Sequence, residues 1–307
     1  MHTRENYQGA RSDKRIGVDV PMNDFETVKE ETLYSVKRYY IEPGKTGQWI
    51  DLVWYYLILA DRDIPNYRTV WSNLVGGRFP DRYRRELLEY MHGAHERYKQ
   101  ALFARDIIGK LVMKYPDNDV LFIINLHMYY FITVVKALAD NLALILNYFY
   151  DIGLESSPDK IDITKEPFRA RLRDKSTIFD KVCQGPEYEA YKTELTEFRD
   201  VVVHRHALHI VRVLDRNGQT KIMVPRDPSR GIELRTEQGR LGTKYAVSRD
   251  RKSIAKYGVM TTVISPDPTK NYEEPMEFCS RHLRFIANSY TAVLAEMARA
   301  SGDQSKN

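Results

Sequence analysis

The chain has 307 residues, 43% of them hydrophobic, enough to build one large core or two small ones, and this excludes global disorder. Lys and Arg number 47 against 42 Asp and Glu, a formal net charge of +5 that suits an anionic partner such as nucleic acid without requiring one. Cys183 and Cys279 fit neither a zinc spacing nor a disulfide framework, so a reducing, cytoplasmic setting with no cysteine-held metal is expected.

Met1 to Asp19 is polar and lacks the apolar run of a signal peptide, and residues 1–20 read as a flexible tail. A helical extension is expected over 21–113. From Asp24 to Tyr40, the residues Phe25, Val28, Leu33, Val36 and Tyr40 recur at helical spacing until Pro43-Gly44. Trp49 to Leu59 is apolar on nearly all sides and must be enclosed by other segments. A stretch from Pro65 through Trp71 ends at Gly76-Gly77, and Pro80-Asp81 opens a charged helix to about Met113 with Arg82, Arg84, Arg85, Glu86 and Glu89 solvated.

Asp117 or Asn118 is expected to cap the longest helix, which runs to about Tyr150 before Gly153. Its Val120 to Val135 portion is the strongest membrane candidate, but Asn125, His127 and Thr133 interrupt it and Lys136, Asp140 and Asn141 come directly after. The reading is a buried helix of a soluble protein with no membrane contact. Lys165 to Cys183 and Pro186 to about Leu208 give two more helices. Ile210 to Leu214 and Lys221 to Val224 are β-rich runs flanking Asn217-Gly218, which predicts a hairpin. Pro225 to Tyr272 is rich in Gly, Pro, Arg and Asp, with strand candidates at Ile232 to Leu234 and Val259 to Ile264. Glu274 to Ala300 returns to helical spacing, and residues 301–307 form a second tail. The expected fold class is mainly α: a helical domain over 114–300, carrying an irregular and β-containing insert at 210–272, behind the amino-terminal extension.

One segment concentrates titratable groups: Phe198-Arg199-Asp200-Val201-Val202-Val203-His204-Arg205-His206-Ala207-Leu208-His209. On a helix Asp200 and His204 share a face, as do Arg205 and His209, and a carboxylate one turn before an imidazole fixes its tautomer. Arg199 and His204 point about 140° apart, so they converge on one phosphate only through the reach of Arg, a distorted helix end or a second copy across a two-fold axis.

The arginine, the polar residue, the three valines and the histidine at 199–204 resemble the signature of the HEPN (higher eukaryote and prokaryote nucleotide-binding) domains. The resemblance implies a helical bundle, a homodimer with Arg and His of both copies lining one cleft, and a metal-independent endoribonuclease, with a defence or toxin–antitoxin role among the settings it suggests. The long hydrophobic helix before the motif and the amphipathic helix after it fit that order. The insert departs from the compact family form, and the first hundred residues have no counterpart in it.

The residue types suit this chemistry. RNA cleavage without metal needs a base for the 2′-hydroxyl proton, a cation to meet the phosphorane and an acid for the leaving oxygen. His204 is expected as acid/base, Arg199 as phosphate clamp through its planar fork, and Asp200 as the group orienting His204. Arg205, His206 and His209 are expected to contact substrate. The insert is basic, with Arg226, Arg230, Arg235, Arg240, Lys244, Arg249, Arg251 and Lys252 around Tyr245 and Tyr257. It is either a solvated loop or an RNA-backbone contact, and Arg249, Arg251 and Lys252 are its substrate-binding candidates.

Three function classes stand side by side: the ribonuclease, a catalytically silent module binding nucleic acid or protein, and a metal-dependent hydrolase built on the His204/His206 pair. The same cluster also reads as a structural salt-bridge network. No H-x-x-D-H or E-x-x-H completes a metal set, and no Walker A, G-x-G-x-x-G or G-x-S-x-G motif occurs, so no metal and no cofactor are expected. His127 reads as a core histidine, His92 and His95 as surface residues, and Asp140 as a solvent-facing or capping group.

Overall fold

The computed structural model describes residues 46–80, 82–114, 119–204, 210–214, 220–227, 246–247, 261–264 and 271–303. The expected helix at 24–40, the proposed caps Asp117 and Asn118, and the strand candidate 232–234 lie outside them. The described part is mainly α. It comprises α1 (Thr46–Asp63), α2 (Tyr67–Val75), α3 (Arg84–Lys114), α4 (Asp119–Phe149), α5 (Glu166–Lys175), α6 (Ile178–Val182), α7 (Pro186–Ala190), α8 (Thr196–His204) and α9 (Pro275–Asp303).

The scaffold is an antiparallel hairpin of α3 and α4, each 31 residues long, or roughly 46 Å at the helical rise. Asn141, buried on α4, donates to the carbonyl of Tyr90 at 3.2 Å, and Tyr148 stacks on Tyr90. Against α3 lies α1, also antiparallel: the Tyr98 hydroxyl donates to Asp63 (3.2 Å) and the Tyr56 hydroxyl to Asp106 (3.0 Å). Asp106 is fully buried, and burial raises its pKa, an effect that the adjacent Arg105 guanidinium opposes only in part. On the other side α9 runs in the same direction as α4, from Cys279 beside Met128 to the Tyr290 hydroxyl on the Leu138 carbonyl (2.8 Å). The expected stripe of α9, Phe278, Leu283, Ile286, Tyr290, Val293, Leu294 and Met297, is buried throughout. A single apolar cluster extends from Tyr55 to Met297, so the helices before residue 114 share a core with those after it.

Two helices are more broken than their patterns predict. The expected helix 165–183 splits at Ser176, whose backbone is extended and whose Oγ accepts the N–H of Ile178 (3.1 Å), starting α6 afresh. The expected helix from Pro186 is interrupted by a π turn at Tyr191–Leu195 between α7 and α8. Gly185, at φ +93°, makes the turn that lets Pro186 open it.

The expected hairpin forms between β1 (Val211–Leu214) and β2 (Thr220–Pro225), with Val211 opposite Met223. It belongs to a mixed sheet with β3 (Ala246–Val247), β4 (Thr261–Ile264) and β5 (Tyr272–Glu273), in the order β3-β4-β1-β2-β5. The candidate at 259–264 is thus β4, pairing parallel to β1. On one face Val211, Val213, Met223 and Tyr272 form a small second core, while Ile210, Ile222 and Val224 join the main one. One helix among the described residues, Leu121–Phe149 within α4, is long and apolar enough to cross a membrane, and 44% of its most apolar window is buried inside the fold.

Candidate functional site

The motif sits on α8, whose inward positions are apolar. Phe198 is fully buried against Phe278 of α9, with ring centroids 4.9 Å apart, and Leu195 and Tyr191 are buried one and two turns earlier. Anchoring those side chains leaves the next positions nearer solvent. Arg199 and Asp200 retain 38% and 47% side-chain exposure, and the Arg199 Nη1 donates to Asp200 Oδ1 at 2.9 Å. Asp200 is thus turned onto Arg199, whereas the sequence predicts that it orients His204. The described part of the helix runs to the backbone of His204. The side chain of His204, and Arg205, His206, His209, Arg249, Arg251 and Lys252 altogether, lie outside the described residues.

The chain beyond the motif is tied back to the scaffold. The Ile210 N–H donates to Asn125 Oδ1 of α4 at 3.2 Å, so the backbone is anchored on both sides of 205–209, by α8 before it and by α4 after it. Asn125, a polar interruption of the apolar run in α4, thus has a structural partner.

The π turn supplies a second polar layer that no sequence motif announces. A π turn shifts side chains out of α-helical register, and here it carries Glu194 to Arg281 of α9. Arg281 also grips Glu273 of β5 through two contacts, 2.8 and 3.0 Å, and Arg226 lies 3.9 Å from the same carboxylate. Glu273 is a buried charge compensated by two guanidiniums, and the network links the motif segment, the last helix and the edge of the sheet. Beside it the His282 imidazole is fully buried against Phe278, and among the described residues neither ring nitrogen has a hydrogen-bond partner, the Glu194 carboxylate lying 3.8 Å from Nε2. Burial, reinforced by Arg281, lowers its pKa to about 3.

Among the other titratable candidates, His127 is a core histidine, its pKa lowered by burial. Asp140 pairs with Lys136 at 2.6 Å on its own helix. His92 is exposed as expected. His95 is not: it is buried, stacked on Tyr67 with centroids 4.1 Å apart, its Nε2 3.3 Å from Asp61. The helical neighbours Met91, Ala94, Tyr98 and Leu102 carried that signal, and Glu96 and Arg97 masked it. Cys183 and Cys279 are free, buried thiols, and burial raises that of Cys183 to about 12. Among the described residues no group of three or more His, Cys, Asp or Glu side chains is placed to hold a metal.

In comparisons with family models, with curated proteins and with solved structures, nothing matches the chain.

Proposed function

We propose that the protein is a metal-independent endoribonuclease of HEPN type, acting in the cytoplasm as a two-fold dimer. The observation that carries this reading is the placement of the motif: Arg199 and Asp200 form a half-exposed pair on α8, whose inward face is pinned by Phe198, and His204 follows on the same helix. The buried ion-pair network of this region is built by Glu273 and Arg281, so a structural role for charge is already filled one layer below.

In the proposed reaction the 2′-oxygen of one nucleotide attacks the neighbouring phosphorus and the bond to the 5′-oxygen breaks. An imidazole takes the 2′-hydroxyl proton, and a protonated one supplies the proton that the 5′-oxygen needs to leave; two copies of His204 across the axis provide both. Arg199 offers its donor fork to the phosphorane oxygens, and Asp200 holds that fork in place between turnovers while orienting His204. Arg205, His206, His209 and the basic residues Arg249, Arg251 and Lys252 lie along the RNA backbone.

The test is cleavage of a labelled single-stranded RNA, with and without chelator, beside the deoxy version of the same oligonucleotide. Expected are cleavage of RNA alone and indifference to chelator, since DNA lacks the 2′-hydroxyl. Loss of activity in chelator would favour the His204/His206 metal reading, and no cleavage by folded protein would favour a silent binding module.

A further inference from the structure

The first three turns of α4 are apolar on both sides. Ile124, Met128, Phe131 and Ile132 face the core, whereas Phe122 is 76% exposed, Leu126 56%, and Ile123, Tyr129 and Tyr130 about 40% each. At about 100° per residue those five exposed side chains fall within one stripe of about 120°, opposite the buried one, and the stripe is roughly 12 Å long. Met113, at the end of α3, is exposed beside it in the hairpin. A contiguous apolar patch of this kind on a helix with a fully used inner face marks a contact surface.

We propose that the occupant is the chain's own segment 24–40, docked as an amphipathic helix along this stripe. Three observations select it. The described chain begins with α1, whose antiparallel contacts to α3 (Asp63 with Tyr98, Tyr56 with Asp106) place Thr46 at the end of the hairpin where α3 stops and α4 starts. The chain thus enters α1 at the end of the hairpin that carries the exposed patch, and the five residues 41–45 span at most roughly 17 Å. Second, the segment has a matching face: Phe25, Val28, Thr32, Val36, Tyr39 and Tyr40 fall within about 120° of one another on a helix. Asn23 followed by Glu26 gives it a capping signature immediately before that run. Third, a helix of this length is marginal alone in water and needs an apolar face to pack on. Its length, roughly 25 Å, covers the stripe. The inference is independent of whether the protein cuts RNA.

The test is hydrogen exchange of the full chain, followed at residues 24–40, in wild type, in Leu126→Asp and in Val28→Asp/Val36→Asp. Leu126 is exposed, so its replacement leaves the core intact, and the second variant touches only the segment. Expected is protection of 24–40 in the wild type, lost on the order of 10-fold or more in both variants, with increased binding of an apolar dye and no change in molecular mass. Exchange of 24–40 at coil rates in the wild type overturns the proposal. So does protection that survives Leu126→Asp. A mass that halves in Leu126→Asp gives the patch to a second copy, and binding of wild type but not Leu126→Asp to phosphatidylcholine vesicles gives it to a bilayer.

Discussion

Glu194, in the π turn ahead of the motif helix, is ion-paired with Arg281 of the last helix, and the same guanidinium holds the buried Glu273 at the edge of the sheet. One side chain thus joins three elements that are distant in the chain, and the two carboxylates differ in what they contribute. Removing Arg281 leaves a carboxylate with 2% exposure only the more distant Arg226, 3.9 Å away, whereas removing Glu194, 35% exposed, frees a cation that Glu273 still accompanies. Arg281→Met is therefore expected to cost about 3–5 kcal/mol, and Glu194→Gln less than about 1 kcal/mol. Urea denaturation of both variants checks the order, and equal losses contradict it.

Acid should destabilise the fold through its buried histidines. Burial holds His95, His127 and His282 below their ordinary value of 6.5, His282 at about 3. The unfolded chain then binds protons that the native imidazoles refuse. This contribution is intact above about pH 6.5 and is lost as pH falls toward 3, at about 1.4 kcal/mol per pH unit for each imidazole kept neutral. The urea midpoint should drop between pH 7 and pH 5, and His282→Leu should reduce that drop. An undiminished pH dependence in the variant would show that His282 titrates normally.

Much of this architecture was legible in the sequence. The apolar periods of α3, α4 and α9 and of the β-rich runs 210–214 and 221–224 specify elements through local pattern, and these form where expected, while the Asn217-Gly218 turn lies outside the described residues. The break at Ser176 was not legible, because a serine that ends one helix and accepts the Ile178 N–H looks like any serine within a continuous one. The π turn at 191–195 was equally hidden, since an i→i+5 bond has no sequence period of its own. Glu194 and Arg281 lie 87 positions apart, and nothing local announces their pairing. At the motif, Phe198 and Arg199 show both sides: the apolar anchor and the exposed cation follow from helical spacing, but the turn of Asp200 toward Arg199 is set by side-chain reach.

If Arg249, Arg251 and Lys252 track the RNA backbone, affinity should fall steeply with salt, because each neutralised phosphate releases condensed cations. Replacing all three with Gln should weaken binding and flatten the slope of log K against log salt by up to about 2, at roughly 0.7 per contact for single strands. Filter binding at several salt concentrations reads this directly. An unchanged slope makes the insert a solvated loop.

Five positions apart on an ideal helix, Arg199 and His204 would point about 140° apart, which the proposed two-fold partner would resolve. Sedimentation equilibrium should give a dimer at micromolar concentration. A strict monomer that still cuts RNA would require one copy to carry both proton transfers.

The chemistry of the cut ends bears most directly on the central claim. Attack by the 2′-oxygen leaves a 2′,3′-cyclic phosphate on one fragment and a 5′-hydroxyl on the other. Mass spectrometry of fragments made in chelator by the wild type should find those ends and no others. His204→Ala should slow their formation by roughly 100-fold or more, and Arg199→Lys should also be slow because an ammonium lacks the bidentate fork. Fragments ending in 3′-hydroxyl and 5′-phosphate, or unaltered cleavage by His204→Ala, would contradict the assignment of this site.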